Sequence, residues 1–213
     1  MWDRTAGRVV HVAVGGGGLV LVGHFAAFTY ITTLVTGLGG LASSAIPAVL
    51  LVLGVTGGVG VAVSGLAADR FPRAALIFAS ALVALGLGLL LLGNRQPAVF
   101  LTGMVVWGLA IGAFPPILQA RVLRLSSPSF RPLAGSIVVT VLNLGDAAGA
   151  TLGGITLGQG NDVLVLSALV AATAGTLALT LDRRTDAADV IAPDNQENEL
   201  AGVADHALTR EAR

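Results

Sequence analysis

The feature that most limits the fold of this chain is a long uncharged stretch, because no Asp, Glu, Lys or Arg occurs between Arg8 and Asp69. About 20 apolar residues cross the hydrocarbon core of a bilayer, so this stretch is long enough for two crossings. Over the whole chain 54% of residues are hydrophobic and 11% are charged, whereas soluble domains carry about 25% charged residues. The composition excludes a soluble globular domain and a disordered chain, and it indicates an integral protein of the lipid bilayer.

Charged and glycine-rich segments divide the chain into six apolar stretches. We predict an all-α membrane protein with transmembrane helices at about 12–36, 46–68, 74–93, 98–119, 132–156 and 162–181. Residues 1–11 are predicted to form an N-terminal segment outside the bilayer. Residues 182–213 are rich in charge and poor in apolar side chains, so we expect a tail that is mostly disordered.

The arginines predict the orientation of the spans. One end of the predicted bundle has Arg95 alone, and the other end collects Arg4, Arg8, Arg70, Arg73, Arg121, Arg124, Arg131, Arg183 and Arg184. Basic residues are enriched in cytoplasmic loops of membrane proteins. We therefore expect a multi-pass protein of the cell membrane with both termini in the cytoplasm.

Missing motifs exclude several classes of function. The chain has no cysteine and therefore no disulfide or thiolate metal site. It contains no phosphate-binding P-loop, no HExxH zinc motif and no Gly-x-Ser-x-Gly nucleophile motif. Its net charge is zero, so no basic field favours nucleic acid. We expect no enzymatic activity, no cofactor, no metal and no nucleic-acid partner.

Asp146 falls near the middle of the fifth predicted span, where a charged side chain costs about 2.5–3.5 kcal/mol. A carboxyl that gains and loses a proton there is suited to proton coupling or substrate contact. The alternative is a protonated Asp hydrogen-bonded to a neighbouring helix. His24 in the first span and Asn143 in the fifth are secondary candidates, although a lone histidine is more often hydrogen-bonded in a packed interior.

Three further side chains are candidates for a solute cavity: Tyr30, Trp107 and Gln119. The two aromatic rings lie too deep in their spans for an interfacial aromatic belt. They either line a cavity or fill space between helices.

Gly145, Gly149 and Gly153 recur every four residues and form a stripe on the fifth span. In lipid, close approach of helix backbones supplies the contact energy between helices. We expect this stripe to pack against another helix, either in a static bundle or in one whose helices move against each other.

The loop between the second and third spans reads Gly-Leu-Ala-Ala-Asp-Arg-Phe-Pro-Arg. It resembles the Gly-x-x-x-Asp-Arg-x-Gly-Arg loop of the major facilitator superfamily and departs from it at Pro72. The matching residues are Gly65, Asp69, Arg70 and Arg73. The stretches 23–31 and 133–154 are similar to the seventh and eleventh helices of the drug:proton antiporters of that family, the sugar-efflux and chloramphenicol-resistance type.

The resemblance covers about 8–182 and corresponds to the second six-helix half of the family alone. It implies a half-size or truncated secondary transporter for proton-coupled efflux of small drug-like or sugar-like solutes. Asp69, Arg70 and Arg73 would form a charge clasp at the cytoplasmic ends of the helices. Because family members hold substrate between two halves, we expect a second six-helix half or a homodimer. The alternative is a non-transporting membrane fragment or an assembly subunit of a split transporter.

Overall fold

The computed structural model describes residues 15–181, which are helical and contain no strand. The long helices are α1 Gly18–Phe28, α2 Ile46–Arg70, α3 Pro72–Leu92, α4 Pro97–Arg124, α5 Arg131–Leu157 and α6 Asn161–Leu181. Helices α2 to α6 are long and apolar enough to cross a membrane, and α1 with the segment that follows it makes a sixth candidate span. The predicted all-α membrane fold is confirmed. The predicted N-terminal segment and tail lie outside the described residues.

Proline explains where four of these helices begin. Pro47, Pro72, Pro97 and Pro132 each occupy the first or second position of α2, α3, α4 and α5. An amide at this position has no partner within the helix, and the fixed φ angle of proline already suits a helix. The polar loops therefore end at residues that can start a helix at little cost.

The first span is bent in the structure, whereas the sequence predicts one continuous helix over 12–36. Its first part, Gly15–Phe28, and its second part, Ile31–Leu38, meet at an angle of 55°. The second part closes with a π-helical turn at Leu34–Leu38. No proline lies at the break, so the bend needs another cause.

A contact with α5 lies at the break. Thr29 keeps its regular helical bond, because its N–H and its Oγ1 both donate to the carbonyl oxygen of Phe25, at 3.1 Å and 2.8 Å. Tyr30 departs from helical geometry, with φ −110° and ψ 24°. Its hydroxyl donates to the carbonyl oxygen of Ala150 on α5 at 3.2 Å. The bend is therefore set by a contact with another helix, which no local pattern reveals.

Two helices leave most of their surface uncovered by the rest of the bundle. α4 packs between α2 and α3, α1 packs against α5 and α6, and α3 meets α6. In their apolar windows 44% of residues are buried for α3 and α4, but only 28% for α5 and 17% for α2. α2 and α5 are therefore the helices with the most surface available to another protein or to lipid.

Small residues allow the helix backbones to approach closely, as expected in a bilayer. A Cβ atom placed on Gly86 of α3 would lie 2.7 Å from Cβ and 2.8 Å from Cα of Trp107 on α4. Gly112 of α4 similarly faces the backbone of Gly57 on α2. The bundle thus depends on glycine where α4 crosses its two neighbours.

We expect Gly86→Ala to lower the free energy of unfolding by about 1–3 kcal/mol, the usual cost of inserting a methyl group into packed surroundings. The backbone of Trp107 cannot move aside as a flexible side chain would. Thermal unfolding of the purified protein in mild detergent measures the effect. Gly58→Ala is the matched control, since a Cβ there meets nothing within 4 Å. Equal melting temperatures for both variants would contradict this account of the packing.

Candidate functional site

Asp146 lies near the middle of α5 with its side chain exposed at the surface of the bundle. Within residues 15–181 its carboxylate has no hydrogen bond and no ion pair. Asn143, one turn earlier, is also exposed, and its Nδ2 donates to the carbonyl oxygen of Val139 at 2.8 Å. Both polar candidates of α5 therefore face away from their own bundle.

Other exposed residues of α5 extend this polar face along the helix. Their spacing of three or four residues places them on one side of α5. We call this set the polar stripe, and its members are Ser136, Thr140, Asn143, Ala147 and Thr151. Its three hydroxyl groups donate to carbonyl oxygens one turn earlier in α5. Exposed apolar side chains flank the stripe, among them Val139 and Leu144, so Asp146 and Asn143 are the groups on this side of α5 that hydrocarbon accommodates least well.

The glycine stripe of α5 lies on the opposite face and is buried against α1. A Cβ atom on Gly145 would lie 2.9 Å from Cβ of Leu21, and one on Gly149 would lie 2.8 Å from Cβ of Phe25. Gly153 is buried in the same seam. α5 therefore has one face packed within its own bundle and one polar face without a covering helix.

His24 is 6% exposed and lies inside a cluster of aromatic rings formed by α1 and α4. The centroid of its ring lies 4.7 Å from that of Phe25, 5.2 Å from that of Phe28 and 5.4 Å from that of Trp107. Two buried nitrogens here, Nδ1 of His24 and Nε1 of Trp107, have no hydrogen-bond partner within the described residues. A polar solute group or a water molecule would satisfy them.

The remaining cavity candidates are placed apart from one another. Trp107 is fully buried and fills the interior of the bundle. Tyr30 is half-buried beside α5, and Gln119 is exposed on α4. The structure brings His24 and Trp107 together, and it places Asp146 on a different surface. No hydrogen bond connects these two groups within residues 15–181.

A groove of about 430 Å³ opens between α1 and α5, and sequence patterns gave no sign of it. Its walls come from the first residues of α1 and the first five turns of α5 and are almost entirely apolar. Asp146 does not line the groove, although its neighbour Gly145 does. Successive residues of a helix point about 100° apart, so adjacent residues serve different surfaces.

An ion pair joins two helices at the arginine-rich end of the bundle, which we define as the end that carries Arg70, Arg73, Arg121, Arg124 and Arg131. Nη2 of Arg124, in the last turn of α4, donates to Oδ1 of Asp69 at the end of α2, at 2.7 Å. The two side chains are 44% and 79% exposed. Exposed pairs of this kind contribute at most about 1 kcal/mol to stability.

The arginines predicted to form the clasp make other contacts. Nη2 of Arg73 donates to the carbonyl oxygen of Thr180 on α6 at 3.2 Å. The guanidinium of Arg70 lies 5.8 Å from the centroid of the Phe71 ring. Gly65 is exposed, with open space where a Cβ would stand. Sequence reasoning missed Arg124 as the partner of Asp69, because the two residues are far apart in the chain.

Comparison with known proteins identifies the family. A family model described as Major Facilitator Superfamily matches residues 13–204. The chain belongs to the Major Facilitator Superfamily. This finding confirms the resemblance that the loop at Gly65 to Arg73 and the two helix stretches indicate. The chain is thus a multi-pass membrane protein of a transporter family.

Curated relatives include two proteins of this type. The chain is 34% identical over 143 residues to a chloramphenicol resistance protein of Streptomyces lividans. The aligned segment covers 67% of this chain and 36% of that protein. It is 32% identical over 154 residues to the inner membrane transport protein YdhP of Escherichia coli strain K12. This aligned segment covers 70% of this chain and 39% of that protein. The chain therefore spans little more than a third of the length of these relatives.

A solved structure shares the fold. The POT family transporter PepTSo superposes with a TM-score of 0.73 and 16% sequence identity, over 87% of this chain and 38% of that chain. At this level of identity the likeness shows the fold alone. It confirms the fold, because the described helices superpose on part of the PepTSo chain.

We expect Asp69→Arg to lower stability by about 0.2–1 kcal/mol, because it removes an exposed ion pair. The added substitution Arg124→Asp should recover most of that loss, since it restores opposite charges at the same place. Thermal unfolding of the four proteins of this double-mutant cycle measures the coupling. Asp162→Arg, at the opposite end of the bundle, is the control acid. If the coupling energy between Asp162 and Arg124 equals that between Asp69 and Arg124, the Asp69–Arg124 pair is refuted.

Proposed function

We propose that this chain is the solute-binding half of a proton-coupled efflux transporter of the cell membrane, with its arginine-rich end in the cytoplasm. The single observation that carries the proposal is the placement of Asp146 near the middle of a span, exposed and without a partner in its own bundle. A carboxyl at this depth persists only where water, another polar group or a proton neutralises it. The relatives named for chloramphenicol resistance and for transport support efflux of small drug-like solutes.

The roles of the other candidate residues follow from their positions. Asn143 lies one turn from Asp146 and offers its carbonyl oxygen to a solute or to the protonated carboxyl. His24 presents a buried nitrogen without a partner, beside the indole nitrogen of Trp107. Tyr30 and Gln119 would border the solute path at its two ends. We assign these residues to solute contact and Asp146 to proton exchange.

A second six-helix half completes the transporter in this proposal. α2 is the least buried span, and it exposes a row of small residues spaced by three or four positions: Gly54, Gly58, Ala62 and Gly65. A Cβ atom on any of the three glycines would meet nothing within 4 Å. Together with the polar stripe of α5, this row offers two seams for helices of another polypeptide or of a second copy.

The ion pair at the arginine-rich end fits a conformational latch. Asp69 and Arg124 join the ends of α2 and α4, and a weak exposed pair is easily broken and remade during a two-state cycle. Arg73 ties α3 to the end of α6. The clasp proposed from the loop motif thus gains Arg124 as the partner of its aspartate.

A second candidate function is that of a non-transporting subunit or fragment. The chain spans 36% and 39% of its two relatives, so one wall of a two-half cavity is present in it. Such a chain would bind its partner half without moving solute by itself. The experiment on Asp146 separates these two functions.

We expect Asp146→Asn to reduce chloramphenicol-driven proton flux to the level of vesicles without the protein, because an amide cannot exchange a proton. Everted membrane vesicles with a pH-sensitive dye measure the flux, and labelled chloramphenicol measures solute movement. Asp162→Asn is the matched control, since Asp162 lies in the first turn of α6, and it should retain wild-type flux. Unchanged flux in Asp146→Asn would refute the proton role, and no solute movement in the wild type would favour the second candidate function.

A further inference from the structure

Two consecutive prolines, Pro115 and Pro116, lie inside α4. Proline has no N–H group, so it cannot donate the bond that a regular helix makes to the carbonyl oxygen four residues earlier. The carbonyl oxygens of Ile111 and Gly112 therefore lack their helical donors. In a bilayer, where hydrocarbon offers no donor, such oxygens need another partner.

The two carbonyl groups lie on different sides of α4. Gly112, Pro116 and Gln119 are spaced by four and three residues and share one side of the helix, and none of them is buried. Ile111 and Pro115 share their side with three buried residues, Gly108, Leu118 and Val122. The carbonyl oxygen of a helical residue points along the axis toward the residue four positions later. That of Gly112 therefore stands beside Pro116 on the more exposed side of α4.

α2 packs against this part of α4 but offers it no hydroxyl donor. The helix carries two hydroxyl side chains, Thr56 and Ser64, and both donate within α2. Thr56 Oγ1 donates to the carbonyl oxygen of Val52 at 2.8 Å. Ser64 Oγ donates to that of Val61 at 2.7 Å. A donor for the Gly112 carbonyl oxygen must therefore come from elsewhere.

Gln119 adds an amide to the same side of α4, one turn after Pro116. Its side chain is exposed and makes no hydrogen bond within residues 15–181. Long side chains of a helix lean toward its N-terminus, so the amide of Gln119 extends toward the turn of Pro116. α4 contains no Asp or Glu, so no carboxylate of this helix would neutralise a bound cation. The site is therefore suited to an uncharged partner.

The site and Asp146 lie at similar depths in their spans. Gly112 is 12 residues from the end of α4 at Arg124, and Asp146 is 15 residues from the start of α5 at Arg131. At a rise of 1.5 Å per residue, these separations along the two helices are about 18 Å and about 23 Å. Both groups are therefore near the middle of the bilayer, where polar groups often mark a solute path.

We propose that the carbonyl oxygen of Gly112 and the amide of Gln119 bind a hydroxyl group of the solute, so that the chain selects uncharged solutes that carry one. A hydroxyl group fits both partners, because it donates to the carbonyl oxygen and accepts from the amide N–H. This inference rests on the proposed function and names the solute chemistry for it. A solute without a hydroxyl group would displace water from the carbonyl oxygen without replacing its hydrogen bond.

Equilibrium binding to the purified chain in lipid nanodiscs tests the site without a proton gradient. The probes are labelled chloramphenicol, which carries two hydroxyl groups, and its 1-deoxy and 3-deoxy analogues, each of which lacks one of them. The wild type should bind chloramphenicol about fivefold more tightly than one of the analogues, the factor for one hydrogen bond. Pro116→Ala restores the N–H that bonds to Gly112, so it should bind chloramphenicol about fivefold more weakly and lose the preference. Gln119→Leu should also weaken chloramphenicol binding.

Pro115→Ala is the matched control, because it makes the same change one residue earlier and closes the carbonyl oxygen of Ile111 on the more buried side. It should keep the affinity and the preference of the wild type. No chloramphenicol binding by the wild type, or equal binding of all three compounds, would overturn the site. An equal loss in both proline variants would also overturn it, since the bending of α4 would then set the affinity. Unchanged binding in Gln119→Leu would overturn the part assigned to that amide.

The proton role of Asp146 is tested by proton flux, which this binding measurement does not involve. Failure of proton coupling with intact solute preference would therefore refute the proposed function alone. Proton flux that depends on Asp146, without any solute preference, would refute the hydroxyl site alone.

Discussion

Hydrocarbon gives a polar side chain no hydrogen-bond partner, and this constraint determines how α5 can be placed in a membrane. The three hydroxyl groups of its polar stripe donate hydrogen bonds to backbone carbonyl oxygens of the same helix. The Asp146 carboxylate has no proton to donate in this way, and it stands exposed near the middle of the span. The cost of leaving that carboxyl in lipid is large compared with typical contacts between membrane helices. In the proposed transporter, the open face of α5 therefore meets water or the second half.

The same constraint explains why glycine does so much of the packing. Helices in a bilayer gain little from burying apolar side chains, so they depend on close backbone contact. Gly145, Gly149 and Gly153 provide this contact along the seam between α5 and α1. The seam is tight at Gly153, where the Tyr30 hydroxyl bonds to α5. It widens into the groove between the first turns of α1 and α5, so the same helix pair is closely packed at one end and open at the other.

Much of the fold could be read from the sequence, because hydropathy and helix-starting prolines are local signals. The bend at Tyr30 could not, since it depends on a hydrogen bond to Ala150, which is distant in the chain. The pairing of Asp69 with Arg124 was missed for the same reason. The polar candidates on α5 were identifiable because a carboxyl within an apolar span is conspicuous. The burial of Trp107 beside His24 could not be predicted either, because it depends on a ring contact between α1 and α4, which are distant in the chain.

The most direct measurement is photolabelling in native membranes with an apolar carbene reagent dissolved in the lipid, followed by peptide mass spectrometry of the purified chain. The reagent marks side chains that touch hydrocarbon. On α6, the exposed residues Leu166, Val170 and Leu177 serve as an internal reference for lipid contact. The account predicts strong labelling of these residues and little labelling at Asn143 and Ala147. Equal labelling of both sets would show that the polar face of α5 lies in lipid and would contradict the account.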